Sequence, residues 1–222
     1  MCEMVIRAVV KTIPMSPDAV AEAAGVLKGG GLVVFPTDTV YGIFVDPEDV
    51  QAVRRVYEVK GRDFSRPLQL LVANVQDIAQ VAQDIPEPAW RAARIFLPGG
   101  LTLVLAKSER VPSAVVAGGS TVGVRVPDLA WCVDLLQAFG GPLAATSANR
   151  SGEPSPRTAE EAAAQVGALV DLVVDGGLCP VGIDSTVLDF SGDVPRLLRV
   201  GAISQIALEE VLGVTYRIDN VE

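Results

Sequence analysis

Short valine- and leucine-rich runs recur along the whole chain, and they constrain the fold more than any other feature. Each run is bounded by glycine, proline or aspartate, which is typical of buried strands. Aromatic residues make up only 5% of the sequence, so valine, leucine and alanine must fill the core. The pattern predicts eight strands, at residues 32–36, 68–73, 101–106, 122–126, 142–146, 171–174, 185–190 and 196–200.

Helix-start signals lie between several of these runs. Ser16-Pro17 and Asp46-Pro47 each place a capping side chain before a proline, and Thr158 with Glu161 forms a capping box. Further helices are predicted at 86–96, 128–139 and 204–212. Several strands follow one another with no helix between them, which excludes a strict βαβ repeat. We therefore predict an α/β fold with an open, twisted mixed sheet and flanking helices, in a single domain over residues 1–222.

Composition excludes several classes of function. The chain of 222 residues has no histidine, which rules out Ser-His-Asp and Cys-His catalysis and histidine-based zinc sites. The three cysteines, Cys2, Cys132 and Cys179, are widely spaced, so neither a disulfide framework nor a cysteine zinc site is expected. The formal charge of −9 argues against general nucleic-acid binding.

No segment of the sequence predicts export or membrane insertion. Charges at Glu3, Arg7 and Lys11 interrupt the apolar stretch at the start, so no signal peptide is expected. The longest uncharged stretch, residues 111–124, is too short and too rich in glycine and proline to span a bilayer. We expect a cytoplasmic protein with no membrane partner.

Residues 54–66 carry five basic side chains against two acidic ones, in a chain that is acidic overall. Arg54 and Arg55 fit a solvated helix face. Lys60, Arg62 and Arg66 lie beyond the helical pattern, around a glycine and before a proline. The planar guanidinium group suits bidentate phosphate binding, so these residues predict either a phosphate site or simple surface charge.

Clusters of hydroxyl, glycine and arginine recur at the predicted strand boundaries. Gly118-Gly119 before Ser120-Thr121 predicts an anion-binding nest. Arg125 lies inside an apolar strand and needs a partner, which is either an acid of the protein or the carboxylate of a ligand. The clusters are FPTDTVYG (35–42), AGGSTVGVRVP (117–127), PLAATSANRSGEPSP (142–156), GIDSTVLDF (182–190) and RLLRVG (196–201).

These clusters favour binding over covalent catalysis. Ser147 has neither a histidine nor an SxxK lysine to activate it, and the chain has no P-loop and no GxGxxG fingerprint. The pattern suits a site that binds two small polar ligands and aligns them, so that positioning and charge neutralisation drive the reaction.

Six motifs, taken in order, strongly resemble the YrdC-like threonylcarbamoyl-AMP synthase family: FPTDTVYG, KGR followed by RPL, STVGVRVP, TSANRSGEPSP, DSTVLD and LLRVG. The resemblance implies an open, twisted α/β sheet around a deep concave cavity. It implies that L-threonine, bicarbonate and ATP give threonylcarbamoyl-AMP and pyrophosphate. The product would serve tRNA t6A (N6-threonylcarbamoyladenosine) modification by a downstream transferase complex, with at most a weak contact to tRNA.

The resemblance also implies roles for individual residues. Lys60 and Arg62 are the expected catalytic residues. The expected L-threonine contacts are Thr39, Arg125, Ala145 (through its backbone) and Ser185. The expected ATP contacts are Lys60, Arg62, Arg66, Thr121, Ser147, Ser155 and Arg199. Mg²⁺ would accompany ATP; its protein ligands are unknown, with Asp38 and Asp184 as candidates.

The sequence departs from the family pattern at three places. Asp63 follows Arg62 where many relatives have proline, and Leu71 stands where some longer relatives have a histidine near the threonine pocket. Longer members also carry a C-terminal domain; because the sequence ends at Glu222, we expect the short, single-domain form.

Three alternatives stay open. The first is a non-catalytic RNA-binding or ribosome-maturation module that uses the same concave basic surface. The second is a domain that handles carbamoyl-adenylate in another pathway. The third is a regulatory protein that senses a nucleotide or an amino acid.

Overall fold

A mixed sheet forms the frame of the protein in a computed structural model, which describes residues 10–61, 63–213 and 217–218. Within these ranges the sheet has eleven strands: β1 (Thr12–Pro14), β2 (Val33–Phe35), β3 (Gly42–Val45), β4 (Gln69–Leu71), β5 (Leu101–Ala106), β6 (Thr121–Arg125), β7 (Leu143–Ser147), β8 (Leu172–Asp175), β9 (Thr186–Asp189), β10 (Arg196–Arg199) and β11 (Arg217–Ile218). The helices of the same ranges are α1 (Pro17–Lys28), α2 (Val50–Lys60), α3 (Ile78–Val81), α4 (Glu87–Phe96), α5 (Ala130–Phe139), α6 (Ala159–Val166) and α7 (Gln205–Leu212).

The strand order across the sheet is β1-β8-β2-β3-β7-β4-β6-β5-β9-β10-β11. Parallel pairs such as β4–β6 and β5–β9 stand beside antiparallel pairs such as β3–β7 and β5–β6. The predicted open mixed sheet with flanking helices is therefore confirmed.

All eight predicted strands are present, with ends that differ by one or two residues. The prediction omits β1, β3 and β11. The residues of β3, GIFV, directly follow the polar stretch FPTDTVY, so the sequence pattern places them at the end of a turn and not in a strand. Gly42 opens β3 in register with Phe35 and Ser147, and it is not among the glycines with a positive φ. Gly42 therefore supplies space and not an unusual backbone conformation, since a Cβ there would lie 3.0 Å from the Phe44 ring and 3.3 Å from the Thr146 carbonyl.

The helix caps follow the sequence signals with two corrections. Ser16 caps α1 and Thr158 caps α6, as predicted, but the Glu161 carboxylate accepts from the Arg157 N–H at 2.6 Å and not from the Thr158 N–H of the predicted capping box. The prediction that Asp46-Pro47 opens α2 is wrong, because the carboxylate of Asp49 accepts the N–H groups of Gln51 and Ala52 at 2.9 and 3.0 Å. Asp46 instead closes the turn before the helix.

Alternation along the strands sends side chains into a separate core on each face of the sheet. On β2, for example, Val34 faces one core while Val33 and Phe35 face the other. Helices α2, α3, α4, α6 and α7 contribute to the first core, which contains residues of the strands from β2 to β10. Helices α1 and α5 form the second core over β8, β2, β3, β7 and the edge of β4. The same face of β6, β5, β9 and β10 lies beyond that second core.

None of the helices in the described part of the chain has both the length and the apolar character that a membrane crossing requires.

Candidate active site

A cavity of about 510 Å³ occupies the part of the sheet that α1 and α5 leave uncovered. Its floor consists of every second residue of the strands, because side chains alternate between the two faces. Its polar and small floor residues are Gln69 on β4, Thr102 on β5, Thr121, Gly123 and Arg125 on β6, Ala145 and Ser147 on β7, Asp189 on β9, and Arg196 and Arg199 on β10. The depth that the family resemblance implies for this cavity stays a prediction.

The cavity gathers seven of the predicted site residues. They are Thr39, Thr121, Arg125, Ala145, Ser147, Ser185 and Arg199. Lys60, Arg66 and Ser155 are not part of the lining that the described residues form. Arg62 lies outside the described residues, so its predicted role in catalysis and ATP binding has no structural account.

Arg125 is buried in the cavity floor and is held by three groups of the protein. Its Nε donates to the Gly99 carbonyl at 2.9 Å, and Nη1 donates to Thr39 Oγ1 at 2.7 Å. Its Nη2 forms an ion pair with Asp38 at 2.6 Å. The guanidinium has five N–H donors, so two stay available to a ligand after these contacts. Both interpretations of Arg125 are therefore compatible: it forms an internal ion pair and still faces the cavity.

The FPTDTVYG loop is a rigid part of this site. Thr37, Asp38 and Thr39 are all buried. The Thr37 hydroxyl donates to the Val40 carbonyl at 2.7 Å and lies 3.0 Å from Thr39 Oγ1. Because Thr37 has used its one proton, Thr39 donates to Thr37 and accepts from Arg125. The polar side chains of this stretch thus fix the direction of the Arg125 guanidinium.

Ser185 links β10 and β5 in the floor of the cavity. Arg199 donates to the Ser185 carbonyl at 2.9 Å and to its hydroxyl at 3.1 Å. The Ser185 hydroxyl lies 2.8 Å from Thr102 Oγ1, which donates to Gln69 Oε1 at 2.9 Å. Both Arg199 and Leu198 line the cavity because a bulge in β10 shifts the register between Leu197 and Arg199.

Gln69 and Thr102 are site residues that the sequence prediction missed. A signal for them was present, since each is a polar residue inside an otherwise apolar strand. The same signal identified Arg125 as a residue in need of a partner.

Lys60, the last residue of α2, is buried and donates to three oxygens of the protein. Its ammonium lies 2.5 Å from the Ser147 carbonyl, 2.8 Å from the Asn149 carbonyl and 3.1 Å from Asn149 Oδ1. These three acceptors match the three donors of an ammonium group. Direct contact between Lys60 and a phosphate would therefore require it to leave at least one of them. Arg66 is exposed on the loop before β4.

The predicted anion nest at Gly118-Gly119 does not form. The N–H of Gly118 donates to the Ser113 carbonyl and that of Gly119 to the Val116 carbonyl, each at 2.8 Å. Those donors are consumed by the loop itself, and only Thr121 of this segment's hydroxyl residues lines the cavity.

The carboxylates near the cavity do not form a complete metal site among the described residues. Within the described ranges, no three potential ligands among aspartate, glutamate, cysteine and histidine come together. Asp38 Oδ1 already accepts from Arg125 at 2.6 Å and from the Asp128 N–H at 3.1 Å, which does not support it as a ligand. Asp184 faces the cavity and accepts from the Ser155 hydroxyl at 2.9 Å. The residues fit a cation that arrives with most of its ligands already supplied by a phosphate and by water.

Charges in and under the cavity are close to balanced. Arg125 pairs with Asp38, and Arg196 pairs with Asp189 at 2.6 Å. Burial opposes ionisation of Asp189, but hydrogen bonds from Ser191 and Arg196 outweigh it and lower its pKa. Arg199 contacts two neutral oxygens of Ser185, with Asp184 also on the lining. The surface is therefore polar, with alternating signs.

The fold and the site together define an α/β protein whose open mixed sheet carries a cavity for small polar ligands on one face. A family model for Sua5, YciO and YrdC, described as "Telomere recombination", matches residues 25–201. The chain belongs to this Sua5/YciO/YrdC family.

Similar proteins agree with this assignment. The chain is 41% identical over 191 residues to a threonylcarbamoyl-AMP synthase of Pyrococcus abyssi, a match that covers 86% of this chain and 56% of that protein. It is 39% identical over 195 residues to a threonylcarbamoyl-AMP synthase of Bacillus subtilis, covering 87% of this chain and 56% of that protein. The chain thus spans little more than half the length of these two curated relatives.

A solved structure of Sua5 from P. abyssi, complexed with L-threonine, superposes on the chain with a TM-score of 0.90 and 38% sequence identity. The superposition covers 96% of this chain and 63% of that one. The sheet described above is therefore the fold of this family.

Proposed function

We propose that the chain is a threonylcarbamoyl-AMP synthase, which joins L-threonine, bicarbonate and ATP and releases pyrophosphate. The observation that carries the proposal is that one cavity gathers all four predicted contacts for the amino acid together with three of those predicted for the nucleotide, Thr121, Ser147 and Arg199. The names of the P. abyssi and B. subtilis relatives support the same activity.

The amino-acid end of the cavity would lie around Arg125. The two guanidinium donors that its internal contacts leave would bind the carboxylate of L-threonine. Asp38 already balances the charge of Arg125, so this binding would rely on hydrogen bonds more than on net charge. Thr39, Ser185 and the backbone of Ala145 would surround the rest of the amino acid.

The nucleotide end would lie around Thr121 and Ser147. Arg199, which donates to Ser185 of the amino-acid end, would contact the nucleotide where the two substrates meet, and Ser155 would act through its bond to Asp184. Arg62 and Arg66 would bind the triphosphate from the loop before β4 and offset its charge. Lys60 anchors the start of that loop and the Ser147–Asn149 segment together. It would therefore hold two parts of the phosphate site in place, and it would reach a phosphate only by exchanging one of its present acceptors.

The reaction would proceed through alignment of the substrates. The threonine amine attacks bicarbonate, forming the N–C bond of a carbamate and releasing water. A carbamate oxygen then attacks the α-phosphorus of ATP, and pyrophosphate leaves as the P–O bond breaks. Positioning and electrostatic stabilisation would supply the acceleration, since the cavity presents no activated nucleophile among the described residues.

Mg²⁺ would accompany ATP and supply charge neutralisation on the triphosphate. Asp184 is the residue that we propose to hold it, directly or through water. We propose further that the product passes to a tRNA threonylcarbamoyl transferase complex, and that the protein acts in the cytoplasm with only weak contact to tRNA.

The RNA-binding alternative is not favoured. It needs a concave basic surface, whereas the guanidinium groups of the cavity are matched by nearby carboxylates such as Asp38 and Asp189. Retention of single-stranded RNA also relies on aromatic stacking, and the cavity lining contains a single aromatic residue, Phe44, among the described residues.

The test is an assay with the purified chain, ATP, Mg²⁺, bicarbonate and L-threonine, in which pyrophosphate is measured. Release should depend on both threonine and bicarbonate. Release that persists without either of them, or no release at all, would contradict the proposal. Retention of RNA without pyrophosphate release would instead favour the alternative.

A further inference from the structure

Gln69 is a cavity residue that the proposed roles do not use. On β4 it stands in register with Ala145 of β7 on one side and with Gly123 of β6 on the other. Arg125 and Thr121 flank Gly123 on the same face of β6, one at each proposed end of the site. Gln69 therefore lies in the row of the sheet between the amino-acid end and the nucleotide end.

A directed chain of hydrogen bonds orients the Gln69 side chain. Arg199 can only donate, and its Nη2 donates to the Ser185 hydroxyl at 3.1 Å. Thr102 has one hydroxyl proton and donates it to Gln69 Oε1 at 2.9 Å. The 2.8 Å contact between Ser185 and Thr102 is consequently a donation from Ser185. The hydrogen bonds therefore run in one direction, from the guanidinium of Arg199 to the amide oxygen of Gln69.

This series of hydrogen bonds determines which atom of the Gln69 amide, Oε1 or Nε2, is available to a ligand. Because Oε1 accepts from Thr102, the amide nitrogen Nε2 points away from Thr102 and keeps its donors for other groups. The two side chains meet across β6 because Gly123 has no side chain between them. A Cβ at residue 123 would lie 3.3 Å from Thr102 Cγ2 and 3.5 Å from Gln69 Cβ.

We infer that Gln69 is a substrate-binding residue whose Nε2 donates a hydrogen bond to the one-carbon unit supplied by bicarbonate. This inference rests on the proposed function. The one-carbon unit joins the amino acid to the nucleotide, so it belongs in the middle row of the cavity. Once it is bonded to nitrogen as a carbamate, its two oxygens are both acceptors, which a neutral amide donor matches. A carboxylate in the place of the amide would repel bicarbonate and carbamate alike.

Steady-state kinetics of Gln69→Leu and Gln69→Glu test the inference, in buffer purged of dissolved CO2. Loss of one hydrogen bond of about 1 kcal/mol should raise the KM for bicarbonate at least fivefold in Gln69→Leu. Gln69→Glu should raise it further, because a carboxylate replaces the donor. L-threonine and ATP affinities, measured by titration calorimetry, should stay within twofold of the parent protein.

Gln51→Leu is the matched control, because Gln51 is exposed on α2 and lies outside the cavity. Thr102→Val and Thr102→Ser provide a second route that leaves Gln69 in place. Thr102→Val frees the amide to rotate and should also raise the bicarbonate KM, while Thr102→Ser keeps the hydroxyl and should retain the parent value. These variants keep the inference testable if Gln69→Leu does not fold.

The outcomes separate the two proposals. A parent protein that releases pyrophosphate, with a bicarbonate KM raised less than fivefold in the folded Gln69 and Thr102→Val variants, would overturn the role of Gln69 alone. A loss of L-threonine or ATP affinity as large as the loss for bicarbonate would also overturn the role of Gln69, because it would indicate a general structural defect. A parent protein that forms no pyrophosphate would overturn the proposed function, and this role with it.

Discussion

The guanidinium of Arg125 lies 2.6 Å from the carboxylate of Asp38, and the two side chains are only 3% and 5% exposed. A buried ion pair of this kind stabilises little in total, because both charges leave water. Removing one partner destabilises the protein strongly, because the other partner is then a buried charge with no counter-charge. Any variant of Arg125 therefore changes both the stability and the binding site, and a useful experiment must separate the two.

A double variant separates the two effects. Arg125→Leu alone should lower the free energy of unfolding by about 3–5 kcal/mol, because Asp38 stays buried without its partner. Adding Asp38→Asn should recover a large part of that loss, since the neutral amide can still accept from the Asp128 N–H. Urea denaturation of both variants and of Asp38→Asn measures the coupling. Strictly additive losses would contradict the importance of the pair.

The same double variant tests the amino-acid end of the site. It should bind L-threonine more weakly by about 2–3 kcal/mol, the value of a charge-assisted hydrogen bond, while ATP affinity stays near that of the parent. Arg62→Ala should show the opposite pattern, with weaker ATP binding and unchanged threonine binding. Arg54→Ala, on the exposed face of α2, is the control for loss of a cation near this loop. If both substrates bind as before in both variants, the assignment of the two ends is wrong.

Lys60→Met should affect stability and ATP binding together. The substitution leaves the Ser147 and Asn149 oxygens without their donor, which should cost about 1–3 kcal/mol for each group that water cannot reach. Lys60→Arg should not rescue the loss, because a planar guanidinium does not fit a site shaped for a compact ammonium. Lys28→Met provides the control, since Lys28 also donates to a carbonyl but is exposed. A stability change no larger than that control would contradict the anchoring role.

The fold was largely predictable because apolar runs and helix caps are local signals. Valine- and leucine-rich runs bounded by glycine, proline or aspartate located eight strands of the sheet, and helix-start signals located most of the helices. The same local reasoning identified Arg125 as a charge in need of a partner, but it could not name Asp38, which lies 87 residues away along the chain. The partners of Lys60 are likewise fixed by how β7 and α2 pack. Contacts of this kind depend on the order of strands in the sheet, which no local pattern contains.

Errors in the site prediction have a common physical origin. Glycine-rich turns look the same in sequence whether their N–H groups face a ligand or the loop itself, so the nest at Gly118-Gly119 was expected but does not exist. The prediction omits Gln69 and Thr102 because it treats a polar residue inside an apolar strand as a site residue only where that residue is charged. Their contact depends on Gly123 of the strand between them, and only the sheet order reveals that relationship.

Stability should fall at alkaline pH through three buried groups, since burial raises the pKa of the Cys132 thiol well above its ordinary value and acts on two further groups in the same direction. Burial raises the pKa of the Cys179 thiol from an ordinary value near 9 to about 11, and that of the Tyr41 hydroxyl from 10 to about 12. Between pH 9 and 12 the native state keeps protons that the unfolded chain has released. The free energy of unfolding must then decrease as pH rises. Denaturation at pH 8, 9.5 and 11 measures the decrease, and Cys179→Ala should make it shallower. Equal stability at pH 8 and pH 11 would contradict the prediction.

Gly123→Ala adds a single methyl group to the floor of the cavity and tests whether residue 123 must lack a side chain. The new Cβ would crowd Thr102 Cγ2 at 3.3 Å, and it would stand between Thr102 and Gln69. We expect the hydrogen bond between them to lengthen or break, which should raise the bicarbonate KM several-fold. The unfolding free energy should change by no more than about 1 kcal/mol, because alanine tolerates a strand better than glycine and offsets part of the crowding.

The matched control for this variant is Gly141→Ala, because a Cβ at residue 141 would meet no atom within 4 Å among the described residues. It should leave both kinetics and stability unchanged. If Gly123→Ala retains the parent KM for bicarbonate while Gln69→Leu does not, Gln69 reaches the substrate without help from Thr102. The glycine would then serve only to leave room for the ligand. If both variants raise the KM for bicarbonate, residue 123 must lack a side chain so that Thr102 can orient the Gln69 amide.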